Sequence, residues 1–464
     1  MRNMEESKRM PLLYLETLGC PKNQADSHQI RGMLTASGYG FAPTPRDAEV
    51  ILVNTCGFID DAKEESIRTI LRLSRRKKRG RCRMLVVIGC LVQKYGAELE
   101  ASLPEVDLFL GVQDWKDLPR HIASAMAPAQ GGTDRTQRLY VSPPEGDHYR
   151  SDWLPDEEES PAGYVKIADG CDHRCTFCVI PQIRGRYRSR RSDAIIEEVS
   201  RRVARGLREA VLVAQDTGAY GRDLAPAASL AGLIGSLASI EGLERIRIMY
   251  CYPEEVDDGL IEAMRNPKVC SYIDMPIQHV DDTLLRRMGR PTDSRRIREV
   301  IGKLRQHIPG LAIRTTLMVG FPGESEEAFQ SLLAFLEEYR LERVGFFAFS
   351  PQPGTPAEGM PDQVSAEEKE RRLVIAQETR DRLMALCYSA QVGQTQRVLI
   401  DEETGSGSGG YFYEGRSCLD APEIDGLVSF RCTDRLSPGQ FVNVRITHSR
   451  DYLLSGEINH DPCQ

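Results

Sequence analysis

The chain has 464 residues, 41% of them hydrophobic and 28% charged, with a formal net charge of -8 at pH 7. At roughly 100 to 200 residues per domain this length provides for two to four domains and excludes a single compact one. No apolar run approaches the roughly 20 residues that span a bilayer, and MRNMEESKRMPLLYLETLGC carries no secretory signal pattern. A soluble, cytoplasmic chain with no membrane partner is therefore expected, and its negative charge argues against broad wrapping of nucleic acid while leaving room for a local basic patch.

From residue 12 to about 127, LLYLETL, VILVN, MLVVIG and DLFLG read as strands, each followed by a helical pattern. The alternation predicts a parallel sheet with helices on its faces over residues 1–130, and ligands of such sheets gather at the strands' carboxyl ends. Cys20, Cys56 and Cys90 each follow one of these strands. Adjacent strands lie about 4.8 Å apart, so the three loops can converge on one site, and a three-cysteine iron–sulfur cluster is expected there. Ordinary buried core cysteines are the competing reading. The basic run RRKKRGRCR at 75–83 reads as a solvated helix end or as a ribosomal RNA contact. Residues 131–160, rich in Pro, Gly and charge, read as a linker.

A second βα series follows over residues 161–390, with strands at YVKIA, VLVAQ, IRIMY, YIDMP, IRTTLMV and VGFFAFS. It predicts six βα units in a partial barrel. Directly after its first strand, GCDHRCTFCVIP sets Cys171, Cys175 and Cys178 in a C-x-x-x-C-x-x-C loop. Three thiolates leave one iron of a four-iron cluster open to chelate the amine and carboxylate of S-adenosylmethionine, which marks the radical S-adenosylmethionine class. A zinc knuckle would need a fourth ligand nearby, and three free thiols within eight residues are unusual. The other seven cysteines, Cys82, Cys251 and Cys463 among them, show no such pattern. IRGRYRSRR at 183–191 reads equally as cofactor or substrate contacts and as an exposed face, and Ser365 to about Ala390 as one helix. No Walker loop or G-x-G-x-x-G follows a strand.

After Gly393, QRVLIDEE, GYFYEGRSC, GLVSFRC and FVNVRITHS predict a small antiparallel β-barrel over 391–464. Six Arg and no Lys face eleven Asp and Glu there, a balance of 6 − 11 = −5, which favours a basic partner.

TLGCPKNQADS, VNTCGFIDDAKEESI, IGCLVQKY, KIADGCDHRCTFCVIPQIRGRYRSR, VAQDTGAYG and LMVGFPGESEE together closely resemble the methylthiotransferase family, over nearly the whole chain. The resemblance implies an α/β architecture of a parallel-sheet N-terminal domain with an auxiliary cluster, a partial (βα)6 radical SAM barrel, and a C-terminal TRAM barrel. Of its two branches, one modifies a transfer-RNA adenosine and the other an aspartate of small-subunit ribosomal protein S-twelve. CGFIDDAKEES, KIADGCDHRC, IQHVDD with His279 and DAPEIDGLV resemble the second branch.

That branch implies two 4Fe–4S clusters, at Cys171, Cys175 and Cys178 and at Cys20, Cys56 and Cys90, an electron donor, and a substrate met free or within the ribosome. Reductive cleavage of S-adenosylmethionine gives a 5′-deoxyadenosyl radical that takes a hydrogen from the aspartate β-carbon. The auxiliary cluster presents or supplies sulfur, and a second S-adenosylmethionine the methyl, giving 3-methylthioaspartate. Phe177, Gln215 and Arg314 are candidate cofactor contacts, and Gly320 and Gly323 would let backbone approach the ligand; core packing and ordinary turns compete. The alternatives in function are the transfer-RNA enzyme and a non-catalytic iron–sulfur protein carrying electrons or sensing redox state.

Overall fold

The computed structural model describes residues 10–126, 137–145, 160–407 and 410–458. Cys463 and most of the charged stretch between 127 and 159 therefore lie outside the described residues. The described residues form two units: those of Met1–Glu157 with Asp169–Asp172 and Val179–Arg190, and those of Glu158–Ala168 with His173–Cys178 and Arg191–Gln464.

In the first unit the strands β1 (Leu12–Thr17), β2 (Gly40–Phe41), β3 (Val50–Thr55), β4 (Met84–Gly89), β5 (Leu108–Leu110) and β6 (Leu139–Tyr140) form one parallel sheet in the order β2-β1-β3-β4-β5-β6. The apolar runs VILVNT and MLVVIG are buried throughout because the sheet has a core on each face. Val50, Leu52, Val86 and Ile88 enter one core with Ile30, Trp115 and Ile122, while Ile51, Val53, Leu85 and Val87 enter the other with Ile70, Leu91 and Leu99. The period-two alternation of a strand makes that division. Two edge strands escaped the sequence reading. Leu139–Tyr140 lies inside the expected linker, yet it pairs with β5, and Ser142 Oγ beyond it donates to Asp114 Oδ1 at 2.6 Å. Two apolar residues among polar ones give no period to read.

The second unit opens on β7 (Ala162–Lys166), β8 (Glu209–Val213), β9 (Arg245–Ile248), β10 (Val269–Asp274), β11 (Ala312–Val319) and β12 (Arg343–Ala348), all parallel and neighbours in chain order. This is the expected six-strand partial barrel. The helix Ala366–Ser389 then leads out, capped by Ser365, whose Oγ accepts from the Glu368 N–H. A closed barrel follows: β13 (Thr395–Gly407), β14 (Gly410–Arg416), β15 (Leu427–Cys432), β16 (Phe441–Arg450) and β17 (Leu453–Ile458). It is antiparallel except for one pair, β15 with β17, which runs parallel. The fifth strand, LLSGEI, was not foreseen; with alternate residues half exposed and a central Gly, it offers little apolar signal.

The closed barrel sits against the amino ends of the parallel strands. Glu209, the first residue of β8, is fully buried among Arg247 at 2.7 Å, Arg416 at 3.1 Å and Arg245 at 4.0 Å. Arg416 is also bidentate to Asp401, Arg343 at the start of β12 donates to Asp420 at 2.6 Å, and Tyr272 Oη donates to Asp425 at 2.7 Å. The opposite, carboxyl ends of the strands are left for a ligand, as in other open α/β sheets. Among the described residues no helix is long and apolar enough to cross a membrane.

Candidate functional site

In the first unit, the carboxyl ends of the three adjacent strands β1, β3 and β4 carry Cys20, Cys56 and Cys90. Cys20 caps the amino end of helix Pro21–Ala36, Cys56 follows Thr55 directly, and Cys90 opens helix Cys90–Ser102. Each has a glycine beside it, and each glycine fills a space no side chain could share. A Cβ on Gly19 would stand 2.5 Å from Cys56 Cβ, on Gly57 2.9 Å from Leu91 Cα, and on Gly89 2.6 Å from Asn54 Oδ1. The three loops are thus pressed together, and glycine is what permits it.

Polar side chains lock this convergence. Asn23 Nδ2 donates to Leu18 O and Thr55 O at 2.9 and 3.0 Å, bridging the ends of β1 and β3. Asn54 Nδ2 donates to Asn23 O and Ser27 Oγ, Thr55 Oγ1 donates to Ile88 O at 2.6 Å, and Ser66 Oγ both accepts from Cys56 N and donates to Cys56 O.

The thiols feel one another. Burial, with the neighbouring Cys20 and Cys90, pushes the Cys56 thiol up to about 12. Burial also raises Cys90, against the pull of Arg184, while at Cys20 the opposing burial is outweighed by Lys22, the Asn23 amide and Arg184, which lower it. Three clustered thiols that resist joint ionisation as bare thiolates suit a polynuclear cation that ionises them together, so the donor set fits an iron–sulfur cluster.

A direct test of the packing is Gly89→Ala. Gly89 has φ +105°, which a side chain strains, and the added methyl meets Asn54 and Thr55 O. We expect a loss of roughly 1–3 kcal/mol, read as a lower urea midpoint, together with reduced iron retained at the site.

The second cysteine set spans a single loop after β7. In the first unit, the Cys171 amide donates to Gly185 O at 3.1 Å, and Gly170, at φ +79°, lies so close to Arg186 O that no Cβ fits. In the second unit, the Cys178 amide donates to Cys175 O at 3.1 Å. Thr176 between them is tied at three points, its N to Met288 O, its Oγ1 to Arg287 O, and its O to the Ala357 N–H. Arg290, buried over the Tyr252 ring, directs Nη1 to Cys175 Sγ at 3.8 Å and Nη2 to Pro276 O at 2.9 Å. A held backbone and a cationic donor beside a buried thiol suit a cluster thiolate.

Around this loop, Phe177 packs edge-on to Phe321, ring centroids 6.4 Å apart, in a cluster with Met318 and Phe349. Phe321 stands in the turn that holds Gly320 and Gly323, at φ +72° and +86°. There the Glu324 carboxylate accepts from the Gly320 N–H, the Arg372 guanidinium at 2.9 Å, and His279 Nε2 at 3.3 Å. The Asp281 N–H donates to His279 Nδ1, which leaves Nε2 as the proton-bearing atom toward Glu324. Gln215 ends the run from β8, next to Asp216. Arg314 is drawn to Asp274 at 3.0 Å and Asp425 at 3.7 Å, partners that no local pattern announces.

Sequence reasoning did not single out Asn23, Asn54, Arg184, Arg290 or the pair of His173 Nε2 with Asp216 at 2.8 Å. His173 and Asp216 with Glu255 bring their ligand atoms within 4.8 Å of one another at the mouth of the partial barrel. Burial, helped by Asp216, raises the Glu255 carboxyl against the pull of Arg222. Asn23, three residues beyond Cys20 within TLGCPKNQ, was the one with a positional signal.

Three family models match the chain: Uncharacterized protein family UPF0004 over residues 12–111, the Radical SAM superfamily over 165–336, and the TRAM domain over 392–458. Among curated relatives, the ribosomal protein uS12 methylthiotransferase RimO of Heliobacterium modesticaldum is 46% identical, covering 100% of this chain and 98% of its own. Its namesake in Geobacter sulfurreducens is 44% identical over 95% and 97%. Among solved structures, the radical S-adenosylmethionine methyltransferase TsrM from Kitasatospora setae superposes with a TM-score of 0.56 at 15% identity, covering 75% of each chain, a likeness of fold.

Proposed function

Because the chain belongs to the ribosomal protein uS12 methylthiotransferase family, we propose that it attaches a methylthio group to the β-carbon of one uS12 aspartate, giving 3-methylthioaspartate. It is a radical S-adenosylmethionine enzyme, its substrate is uS12, and its cofactors are [4Fe–4S] clusters and S-adenosylmethionine. The transfer-RNA alternative and the non-catalytic one are not favoured.

The observation that carries the site assignment is the convergence of three glycine-flanked, mutually coupled thiols on adjacent strand ends. We assign the auxiliary cluster to Cys20, Cys56 and Cys90 within 1–130, and the S-adenosylmethionine cluster to Cys171, Cys175 and Cys178 within 161–390. We assign residues 391–464 to the TRAM domain, whose strands from Thr395 to Ile458 are joined to the core by the Glu209 network. When bound, the clusters and S-adenosylmethionine supply an electron, a hydrogen-abstracting radical, a sulfur and a methyl, because no side-chain base can activate an aspartate β-C–H bond.

The chain's own residues hold and orient. Thr176 fixes the loop backbone between Cys175 and Cys178, and Arg290 lays a positive charge against Cys175. Gly320 and Gly323 take left-handed backbone in the turn beside Phe177, where a Cβ would run into the Lys369 and Arg287 side chains, and Phe177 lends an apolar wall on which an adenine can rest. Gln215 supplies a polar group at the end of the run from β8, whereas Arg314 is already held by Asp274 and by Asp425 of the closed barrel. The reductant is an external one-electron donor, and the enzyme works in the cytoplasm on uS12 free or within the small subunit.

Mass spectrometry of uS12 after anaerobic incubation with reconstituted enzyme, reductant and S-adenosylmethionine tests this reading. The methylthio mass gain is expected on a single aspartate. An unmodified uS12 alongside accumulating 5′-deoxyadenosine would move the substrate to transfer RNA.

A further inference from the structure

Arg184 belongs to the segment that leaves the S-adenosylmethionine loop, yet its guanidinium is buried among the residues of the auxiliary site. It ends the short helix Ile180–Arg184, and Gly185, at φ +72°, turns the chain away where a Cβ would meet Pro144 O at 2.5 Å. The side chain is 3% exposed. Nη2 donates to Cys90 Sγ at 3.2 Å and to Asn23 Oδ1 at 3.0 Å. Nη1 donates to Asp26 Oδ2 at 2.8 Å and reaches Asp169 Oδ2 at 3.4 Å. The helix itself packs on the same loops, Val179 and Ile183 lying in one apolar cluster with Cys90, Val112 and Phe58.

A planar guanidinium whose one edge is held by carboxylates has its other edge fixed in direction. Here the fixed edge is the one turned to the Cys90 sulfur. Hydrogen bonds to ligand sulfur are among the levers that set an iron–sulfur potential, because reduction adds negative charge that the N–H dipoles and the cation favour.

We propose that Arg184 is a positioning residue that raises the reduction potential of the auxiliary cluster through its hydrogen bond to Cys90, with Asp26 holding it in register. The proposal rests on the cluster assignment made above. Asp26 and Asn23 lie in the first helix and Arg184 in the loop's exit, so the exit segment of one cysteine motif tunes the other motif's ligand. Part of the basic run at 183–191 thereby has a use that is neither substrate contact nor solvated face.

The test uses the full chain carrying Cys171→Ala, Cys175→Ala and Cys178→Ala, in which only the auxiliary cluster can assemble. Iron and sulfide analysis comes first: a parent that holds no cluster sinks the assignment and this inference together. With the cluster present, its midpoint is read by potentiometric titration followed by electron paramagnetic resonance.

Asp26→Asn with Arg184→Met removes the sulfur donor without stranding a buried charge. It is expected to lower the one-electron reduction constant about tenfold, or about 59 mV. Arg184→Lys, which keeps the charge but not the fork, is expected to lower it about threefold. An unchanged midpoint in the double variant, with the cluster intact, overturns the inference alone. If the double variant fails to assemble a cluster, the lysine variant decides: a shifted midpoint supports the role of Arg184 and an unshifted one overturns it.

Discussion

Cys175→Ala is expected to abolish both 5′-deoxyadenosine and methylthio-uS12, whereas Cys56→Ala is expected to abolish the methylthio product and leave 5′-deoxyadenosine formation running. Cys175 is buried, its loop is tied through Thr176, and Arg290 faces its sulfur, so alanine removes the proposed ligand from a fixed position. If the proposed cluster is left with two thiolates it would not deliver the electron, and the expected fall is at least about a thousandfold in either product, equivalent to about 4 kcal/mol in barrier. Cys56 stands in the first unit between Cys20 and Cys90, with its backbone clasped by Ser66, and has no part in the S-adenosylmethionine loop. Chromatographic assay for 5′-deoxyadenosine, run beside mass spectrometry of uS12, separates the two effects. Equal loss of 5′-deoxyadenosine in both variants would sink the division of labour between the cysteine sets.

Glu209→Gln is expected to cost about 3–5 kcal/mol at pH 7, the range seen when one partner of a buried ion pair is removed. Three guanidiniums converge on this carboxylate, and glutamine leaves them facing a neutral amide in a site closed to water. The effect depends on pH in a defined direction. Burial alone would raise the Glu209 pKa, but Arg247, Arg416 and Arg245 overcome it and bring the group down to about 2. A carboxyl depressed in the folded state stabilises above its unfolded pKa, near 4.3, and that contribution drains away as pH falls toward 2. Urea midpoints of parent and variant should therefore differ most above pH 5 and approach each other between pH 4 and 3. A gap that stays constant down to pH 3 would mean that the carboxylate's charge is not what the site needs.

Much of this architecture was legible because it rests on patterns with a single local cause. The buried runs at 50–55 and 84–89 have apolar residues on both faces, which only a sheet covered on both sides allows, and each is followed by a cysteine. All six strands of the partial barrel stand within two or three residues of where their apolar runs put them. What stayed hidden depends on partners distant in sequence. Arg184 looked like one basic residue among many in 183–191; only the fold brings Asp26, 158 residues away, to its side. Arg314 likewise showed no sign of its pairing with Asp425. The charge of the terminal barrel concealed a second use for the same reason. Asp420 and Asp425 neutralise Arg343 and Arg314 of the core, so part of the acidity counted at 391–464 faces inward and is not available to a basic partner.

The Glu209 network also bears on inheritance. The terminal barrel has its own strands and an apolar core that draws only Tyr388 and Met384 from the helix before it, so with that helix end it could be exchanged between proteins as a cassette. Its Arg416, however, shares one carboxylate with Arg245 and Arg247 of the core, and a borrowed barrel would arrive without that matching charge or would leave one behind. The smallest piece of this chain that can be traded is therefore longer than the smallest piece that has a core. A graft that begins at Thr395 should prosper only in a host that already carries the glutamate and both arginines.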